Sequence, residues 1–478
     1  MHMKSALEVN RGWLSVQTRA TINQYMASSS ATISVIMTGF LMGWPSPALP
    51  ILLADDSPVP MTKQDTSWMI SLMYFGNLFS PIPCGILMER IGRKMTLIYL
   101  NIFPFLSWII IIFSRHAYWL YLARFLAGLW LGIVYTVVPI YLGEIAEPRI
   151  RGSLSTLFAI MTYVGVLVEF AVGPYVSYNA LAIISASFCI IFIVLFAWMP
   201  ETPYFLIKIG DKKGARDSLY WLRGGSEQVD EELYRIENAV EMQMKNKAKV
   251  SDLYATRAAR KAVIIVGVLS LLQRFSGIGA MIAYTSTTLP QIPIGGVLRV
   301  EECVIVLGAV WVISTFISSF FIDKMGRRQL LIISSIGCGI ATFLAGLWFY
   351  CDQFTSINVA PIYWMPFACF IIHGFFYSIG LNPIVTTIKG EVFSASIKGV
   401  ASALTTVMLA LASFFLNKSY QMIADDIGMY ANYWMYAIGC LIAIVFTLAY
   451  VIETKGRTLQ EIQLILNGEH PDHQVSKL

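Results

Sequence analysis

Twelve apolar runs, each near 20 residues, dominate this 478-residue chain: roughly 31–53, 67–88, 95–113, 117–142, 154–176, 180–199, 263–289, 300–322, 329–350, 359–389, 398–423 and 431–452. A run of about 20 apolar residues is what a helix needs to cross a bilayer core. These runs are too long and too unbroken for the strands of a membrane barrel, which alternate over about ten residues. Only 13% of the residues are charged, about half the share in a soluble domain, so a water-soluble enzyme and a disordered chain are both excluded. The expected fold class is an all-α membrane protein of 12 transmembrane helices in two six-helix bundles.

The longest polar stretch divides the runs six and six. It gives an amino-terminal segment (1–30), a first bundle (31–200), and a linker (201–261) with short amphipathic helices such as Asp230 to Met244. A second bundle (262–452) and a tail (453–478) follow. The first 30 residues lack the apolar core and cleavage site of a signal peptide. Lys and Arg set the orientation. With the amino terminus inside, inner segments hold 28 of the 34, outer loops four, and Arg124 and Arg274 fall within spans. The positive-inside rule then places both termini in the cytoplasm.

The halves echo each other at three inner span ends. Glu89 to Lys94 matches Asp323 to Arg328, Gly143-Glu144 with Arg151-Gly152 matches Gly390-Glu391 with Lys398-Gly399, and Glu201-Thr202 matches Glu453-Thr454, at offsets of 234, 247 and 252 residues. Three ordered pairs imply a duplicated six-span unit with a pseudo-two-fold axis along the membrane normal. Arg93, Glu144, Arg151, Glu201, Asp323, Arg327, Glu391, Lys398 and Glu453 are the expected inner gate, a breakable network holding the halves together while the outside is open. Each exposed ion pair there is worth about 0.2–1 kcal/mol.

Helix breakers concentrate in three spans. Span 1 carries Pro45, Pro47 and Pro50, span 7 Gly277 and Gly279, and span 10 Pro361, Pro366 and Pro383. Broken helices at membrane depth are tolerated where neighbours or water satisfy the freed backbone groups, and transporters use them for binding sites.

These residues, with Arg124, Pro139, Pro200-Glu201-Thr202-Pro203, Gln273, Ser276-Gly277-Ile278 and Glu453 to Arg457, resemble the sugar-porter family of the major facilitator superfamily from end to end. The Gly43-Trp44-Pro45-Ser46-Pro47-Ala48-Leu49-Pro50 stretch is most similar to its facilitated trehalose transporter-like branch. The resemblance implies facilitated movement of a sugar such as trehalose, a hexose or a polyol by alternating access at the plasma membrane, with no cofactor. Spans 1, 4, 7 and 10 would line the path. It points to Gln273, Arg274, Ser276, Gly279, Tyr284, Tyr163, Trp311, Tyr377, Asn382 and Thr386 as substrate-binding positions.

The sequence departs from the family where the sugar should sit. The second Gln of span 7 is Arg274, the Asn after Ser-Gly-Ile is Gly279, the polar residue of span 8 is Trp311, the Trp of span 10 is Thr386, and the Asn-Trp pair of span 11 is Leu409-Ala410. Polar groups set orientation in a ligand pocket, so these changes leave the solute open. The span 1 Asp of proton-driven relatives is matched by Pro45, which favours facilitation over symport, and Tyr204 replaces the Arg that usually follows Pro203. Arg274 at membrane depth needs a cavity or a partner. Glu169 is the expected partner, and a ligand contact is the alternative. A transporter-fold sensor with little flux and an organic-anion carrier using Arg274 are the competing functions. The chain shows no nucleophile-base pair, phosphate loop, metal-ligand spacing or basic aromatic stripe for nucleic acid, so the expected partners are a small solute and the bilayer, and the chain is expected not to be an enzyme. Cys303 and Cys351, both near outer ends, are a conceivable disulfide, and Asn417-Lys418-Ser419 matches a glycosylation acceptor.

Overall fold

A computed structural model describes residues 15–226, 228–245, 251–291, 298–322, 324–393 and 397–468. The described residues are helical, with no β-strand among them. Eleven helical segments are long and apolar enough to cross a membrane. In chain order the spans are Val16–Leu52, the bent pair Lys63–Phe79 and Pro81–Ile91, Arg93–Phe113, Ala117–Ile145, Arg151–Tyr175, Tyr178–Ala197, Arg257–Thr288, Val300–Ile322, Arg327–Phe354, Ala360–Val392, Gly399–Asp426 and Met429–Tyr450. The pair forming span 2 bends by 46°. Pro81 at the start of its second helix supplies no N–H to the turn before it.

Span 1 begins well before its apolar run. Ser15 caps the helix at Val16 through the Thr18 amide, so residues 16–30 belong to the first helix rather than to a separate amino-terminal segment. This polar extension docks on the linker helix Lys212–Leu222: Asn23 Nδ2 donates to the Trp221 carbonyl (2.6 Å) and Gln24 Nε2 to that of Leu222 (3.3 Å). A second linker helix, Val229–Lys245, is tied back by Arg223, which donates to both Glu232 carboxylate oxygens at 2.6 and 2.8 Å. In the tail, Thr458 and Glu461 form a capping box on the helix Leu459–Asn467. With twelve spans both chain ends fall on one side, here called the terminal face; the opposite side is the far face.

Within each half the helices approach closely where glycine lets them. A Cβ on Gly39 would strike the Thr162 carbonyl of span 5, and one on Gly128 the Met73 carbonyl of span 2. Exposed apolar stripes at helical spacing, such as Ile183, Ile190 and Val194 in span 6 or Ile313, Phe316 and Phe320 in span 8, face outward. In water such stripes would drive aggregation; in lipid they are the solvated surface. Cys303 and Cys351 are free thiols, not a disulfide.

Candidate functional site

The duplicated motifs at the terminal face repeat in their atoms. In the first half Arg93 Nη2 donates to Glu144 (2.8 Å), Arg93 Nη1 to the Met88 carbonyl (3.3 Å), and the Lys94 amide to Glu201 (2.9 Å). In the second half Arg327 Nη2 donates to Glu391 (3.1 Å), Arg327 Nη1 to the Ile322 carbonyl (3.0 Å), and the Arg327 and Arg328 amides to Glu453 (2.9 and 3.1 Å). Even the glycines correspond, since a Cβ on Gly92 or Gly326 would collide with the Glu201 or Glu453 carboxylate respectively. All these pairs lie inside one half. The expected clasp between halves is not what they form here: Glu201 and Glu453 cap the starts of spans 3 and 9, and Glu144 and Glu391 hold the Arg93 and Arg327 guanidiniums, each within its own bundle. Burial pushes the Glu201 carboxyl up, against the amides of Thr202 and Lys94. Glu453 is also pushed up by burial, but the Lys455, Arg327 and Arg328 amides outweigh this and hold it below the usual range. Arg151 is exposed and forms no ion pair among the described residues; its charge faces Tyr204. Asp323 and the side chain of Lys398 lie outside the described residues.

At membrane depth the prolines open specific carbonyls, and side chains from neighbouring spans fill them. A proline leaves the carbonyl four residues earlier without its helical donor. For Pro45 that is Leu41, which accepts from Arg124 Nη1 of span 4 at 2.6 Å. For Pro50 it is Ser46, which accepts from the Ser286 hydroxyl of span 7. For Pro383 it is Ile379, which accepts from Ser318 Oγ of span 8 at 3.2 Å. The last break spreads into a π-turn over Tyr377–Leu381. Gln273 Nε2 then reaches across from span 7 to the carbonyls of Leu381 (3.1 Å) and Asn382 (3.3 Å). Gly277 breaks span 7 with φ +91°, a conformation that glycine adopts without strain.

Arg124 was visible in the sequence as a charge within a span, but not as part of the site. It is 1% exposed, donates also to Met73 Sδ (3.0 Å), and lies 5.7 Å from the Trp44 ring centroid. The signal that finds it is arithmetic: a proline in a span demands a donor for the carbonyl four residues back.

The expected Glu169–Arg274 pair is not formed. Glu169 accepts from Ser185 Oγ of span 6 (2.5 Å) and lies in the field of Arg124. Tyr163, which does face the centre, is six residues away, or about 240° around the helix, so Glu169 points elsewhere. Among the described residues no carboxylate stands within ion-pair distance of Arg274, and its Nε is buried without a hydrogen-bond partner. Its charge acts on the hydroxyls of Tyr74 (span 2), Tyr163 (span 5) and Tyr377 (span 10).

The other expected positions divide. Trp311 is fully buried and packs at 6.0 Å on Tyr163 and on Phe170 across the seam between halves. Gly279 borders the Tyr74 hydroxyl and the Asn417 amide. With Gln273 and Asn382 these converge on the centre. Ser276 bonds back to the Gln273 carbonyl (2.7 Å), and its own carbonyl meets His373 Nε2 (2.9 Å). Tyr284 stacks on Tyr420 at 4.5 Å and is buried. Ser276 and Tyr284 therefore serve packing in this state. Thr386 is exposed one turn nearer the terminal face. Tyr135 of span 4, in the same field as Tyr163 and Tyr377, is 39% exposed.

The far face is shut. Besides the Ser286–Ser46 contact, Lys418 Nζ of span 11 sits 4.2 Å from the Trp68 ring centroid of span 2 and donates to Ser67 Oγ at 2.9 Å. Phe414 packs 5.4 Å from Phe75, and Lys63 meets Asp425 at 3.4 Å. Asn417, the candidate glycosylation acceptor, is buried and donates to the Ser413 carbonyl. The halves are thus joined at the far face, while Tyr135 and Thr386, in the terminal-side parts of spans 4 and 10, are exposed. An apolar groove of about 440 Å³ between spans 7 and 12, lined by Leu272, Phe275 and Trp434 among others, lies off this path.

Two matched six-helix bundles meeting at a polar centre built from interrupted helices define a multi-pass membrane protein of the major facilitator fold. Solved structures of the xylose transporter XylE share it. The partially occluded inward-open form from E. coli superposes with a TM-score of 0.77 at 18% identity, covering 91% of this chain and 100% of that one. The proton:xylose symporter XylE bound to 6-bromo-6-deoxy-D-glucose gives 0.75 at 18% identity, covering 93% and 99%. The family model "Sugar (and other) transporter" matches residues 21–466, and the chain belongs to that family. The facilitated trehalose transporter Tret1 of Bombyx mori is 32% identical over 458 residues, covering 95% of this chain and 89% of that protein. Tret1 of Drosophila willistoni is 31% identical over 448 residues, covering 93% of this chain. The chain spans about half the length (51%) of that relative.

Proposed function

We propose that this protein carries a hydroxyl-rich solute of sugar size across the plasma membrane by facilitated diffusion, with alternating access between two rocking bundles. Residues 31–200 and 262–452 would be the moving units and 201–261 the linker. The Lys and Arg distribution supports placing the terminal face in the cytoplasm, so the arrangement described is inward-facing. The observation that carries the reading is that spans 1, 7 and 10 are interrupted, with the carbonyls freed in spans 1 and 10 taken by side chains of spans 4, 7 and 8.

Uniport rather than symport rests on Pro45. Where proton-driven relatives place an acid, this chain presents a proline, and Arg124 is engaged by the Leu41 carbonyl that the proline frees. Purified protein in liposomes should show saturable counterflow of a sugar, with no accumulation in an acid-outside gradient. Uphill uptake driven by protons would refute uniport. Absence of flux across a panel of neutral sugars, polyols and sugar acids would refute transport and favour the sensor reading.

A further inference from the structure

Resting on that transport reading, we infer that Arg274 seats a carboxylate and that the preferred solute is a monoanionic sugar acid rather than a neutral sugar. Four observations converge. First, Arg274 stands in span 7 immediately before the Ser276-Gly277 break, beside Gln273, whose amide holds the interrupted span 10. Second, its charge acts on tyrosines of spans 2, 5 and 10, which belong to both halves, so it lies at the seam where the bundles meet. Third, it is only partly buried, its Nε has no hydrogen-bond partner, and no carboxylate among the described residues stands within ion-pair distance. Fourth, the one acid deep in the first half is turned elsewhere, since Glu169 accepts from Ser185 of span 6.

A guanidinium at membrane depth without a counter-ion is costly, so its retention at the centre calls for a compensating anion. Charge balance selects the kind. Arg274 supplies a single positive charge that no carboxylate among the described residues reaches. A single carboxylate neutralises it, and guanidinium matches a carboxylate with two parallel hydrogen bonds. A phosphate dianion would leave a net negative charge in the same place. The surrounding Tyr74, Tyr163 and Tyr377 hydroxyls suit the hydroxyl groups of a sugar ring, and the Trp311 ring packs against Tyr163.

The test is uptake by proteoliposomes of radiolabelled glucuronate beside glucose and trehalose, under a potassium-valinomycin potential. Wild-type protein should take up glucuronate in preference to either neutral sugar. A uniported monovalent anion should reach about tenfold accumulation at about 59 mV interior-positive, whereas a neutral sugar only equilibrates. Arg274→Gln should cut glucuronate uptake at least tenfold and reverse the acid-to-neutral ratio, and Arg274→Lys should retain the preference for the acid. Wild-type flux of glucose or trehalose without potential-dependent glucuronate uptake overturns the inference and leaves the transport reading standing. Flux of none of the three, with folding verified by a monodisperse elution profile, overturns both. The wild-type arms decide the matter even if a variant fails to fold.

Discussion

Lys418→Ala should release the far-face closure, and its size follows from the geometry. The Lys418 ammonium makes two contacts across the seam, one with the Trp68 ring at 4.2 Å and one with Ser67 Oγ at 2.9 Å. A cation over an aromatic face is worth about 0.5–1 kcal/mol when exposed and about 2 when desolvated; Lys418 is partly buried, so about 1 is appropriate. The hydrogen bond to fully buried Ser67 adds about 1 kcal/mol net. Losing both shifts the closed-to-open ratio by about 2 kcal/mol, roughly 30-fold at 1.4 kcal/mol per tenfold. The neighbouring Lys63–Asp425 pair, at 3.4 Å with side chains 66% and 42% exposed, contributes a few tenths at most. Ser46→Cys is a suitable reporter, because Ser46 is fully buried at the seam and its hydroxyl has no hydrogen-bond partner. The six other cysteines that are buried can stay, and partly exposed Cys351 is changed to Ser. Reaction with a membrane-impermeant maleimide supplied at the far face should accelerate 10- to 30-fold in Lys418→Ala and little in Lys418→Arg, which keeps a cation over Trp68. A rate within twofold of the parent in Lys418→Ala would show that these contacts do not hold the face shut.

Three further outcomes are expected. Arg124→Leu leaves the Leu41 carbonyl open in a buried setting and removes the Trp44 contact, a loss of about 3 kcal/mol read as a fall in melting temperature; Arg124→Lys should rescue only part of it, since one ammonium lacks the guanidinium's spread of donors. Neutralising the matched acids should be unequal: Glu453, held down, contributes stability above its unfolded pKa that is lost as pH falls through its folded value, whereas Glu201, pushed up, favours folding when protonated and loses that contribution as pH rises. At pH 7 Glu453→Gln should therefore lower the melting temperature more than Glu201→Gln, and the gap should close as the pH is brought toward 4. Gly128→Val drives a side chain into the Met73 carbonyl and should abolish monodisperse protein in detergent.

The spans and their duplication were legible because hydropathy and charged motifs are local signals. The Arg93–Glu144 and Arg327–Glu391 pairs sit at the repeat offsets. What the repeat did not show is on which side of the seam each partner stands, since matched motifs are equally compatible with pairing within a bundle and between bundles. Glu169 and Arg274 failed for a related reason. Being the two conspicuous charges at depth says nothing about facing, and helical phase relative to Tyr163 turns Glu169 toward Ser185. Span 1 was placed too late because Gln17 to Ser30 is polar, yet a polar helix is stable when it docks on another, as Asn23 and Gln24 do on the linker. The far-face role of Lys418 was hidden too. It read only as an outer-loop cation, and its partners lie about 350 residues earlier in the chain.

The two faces therefore differ in kind, and the difference bears on which contacts a rocking cycle can break. At the terminal face Glu201 and Glu453 accept backbone amides at the start of spans 3 and 9, and Arg93 and Arg327 close the same small loops. These contacts repeat in both halves and cross no seam, so rocking leaves them intact; they make each bundle a rigid body. The seam itself carries contacts that have no internal copy among the described residues: Ser286 on Ser46, Lys418 on Trp68 and Ser67, and Trp311 on Tyr163. Only contacts that differ between states can bias an equilibrium between them. Substitutions at the conspicuous duplicated motifs should thus act first on the integrity of a half, and substitutions along the unduplicated seam on the balance between states.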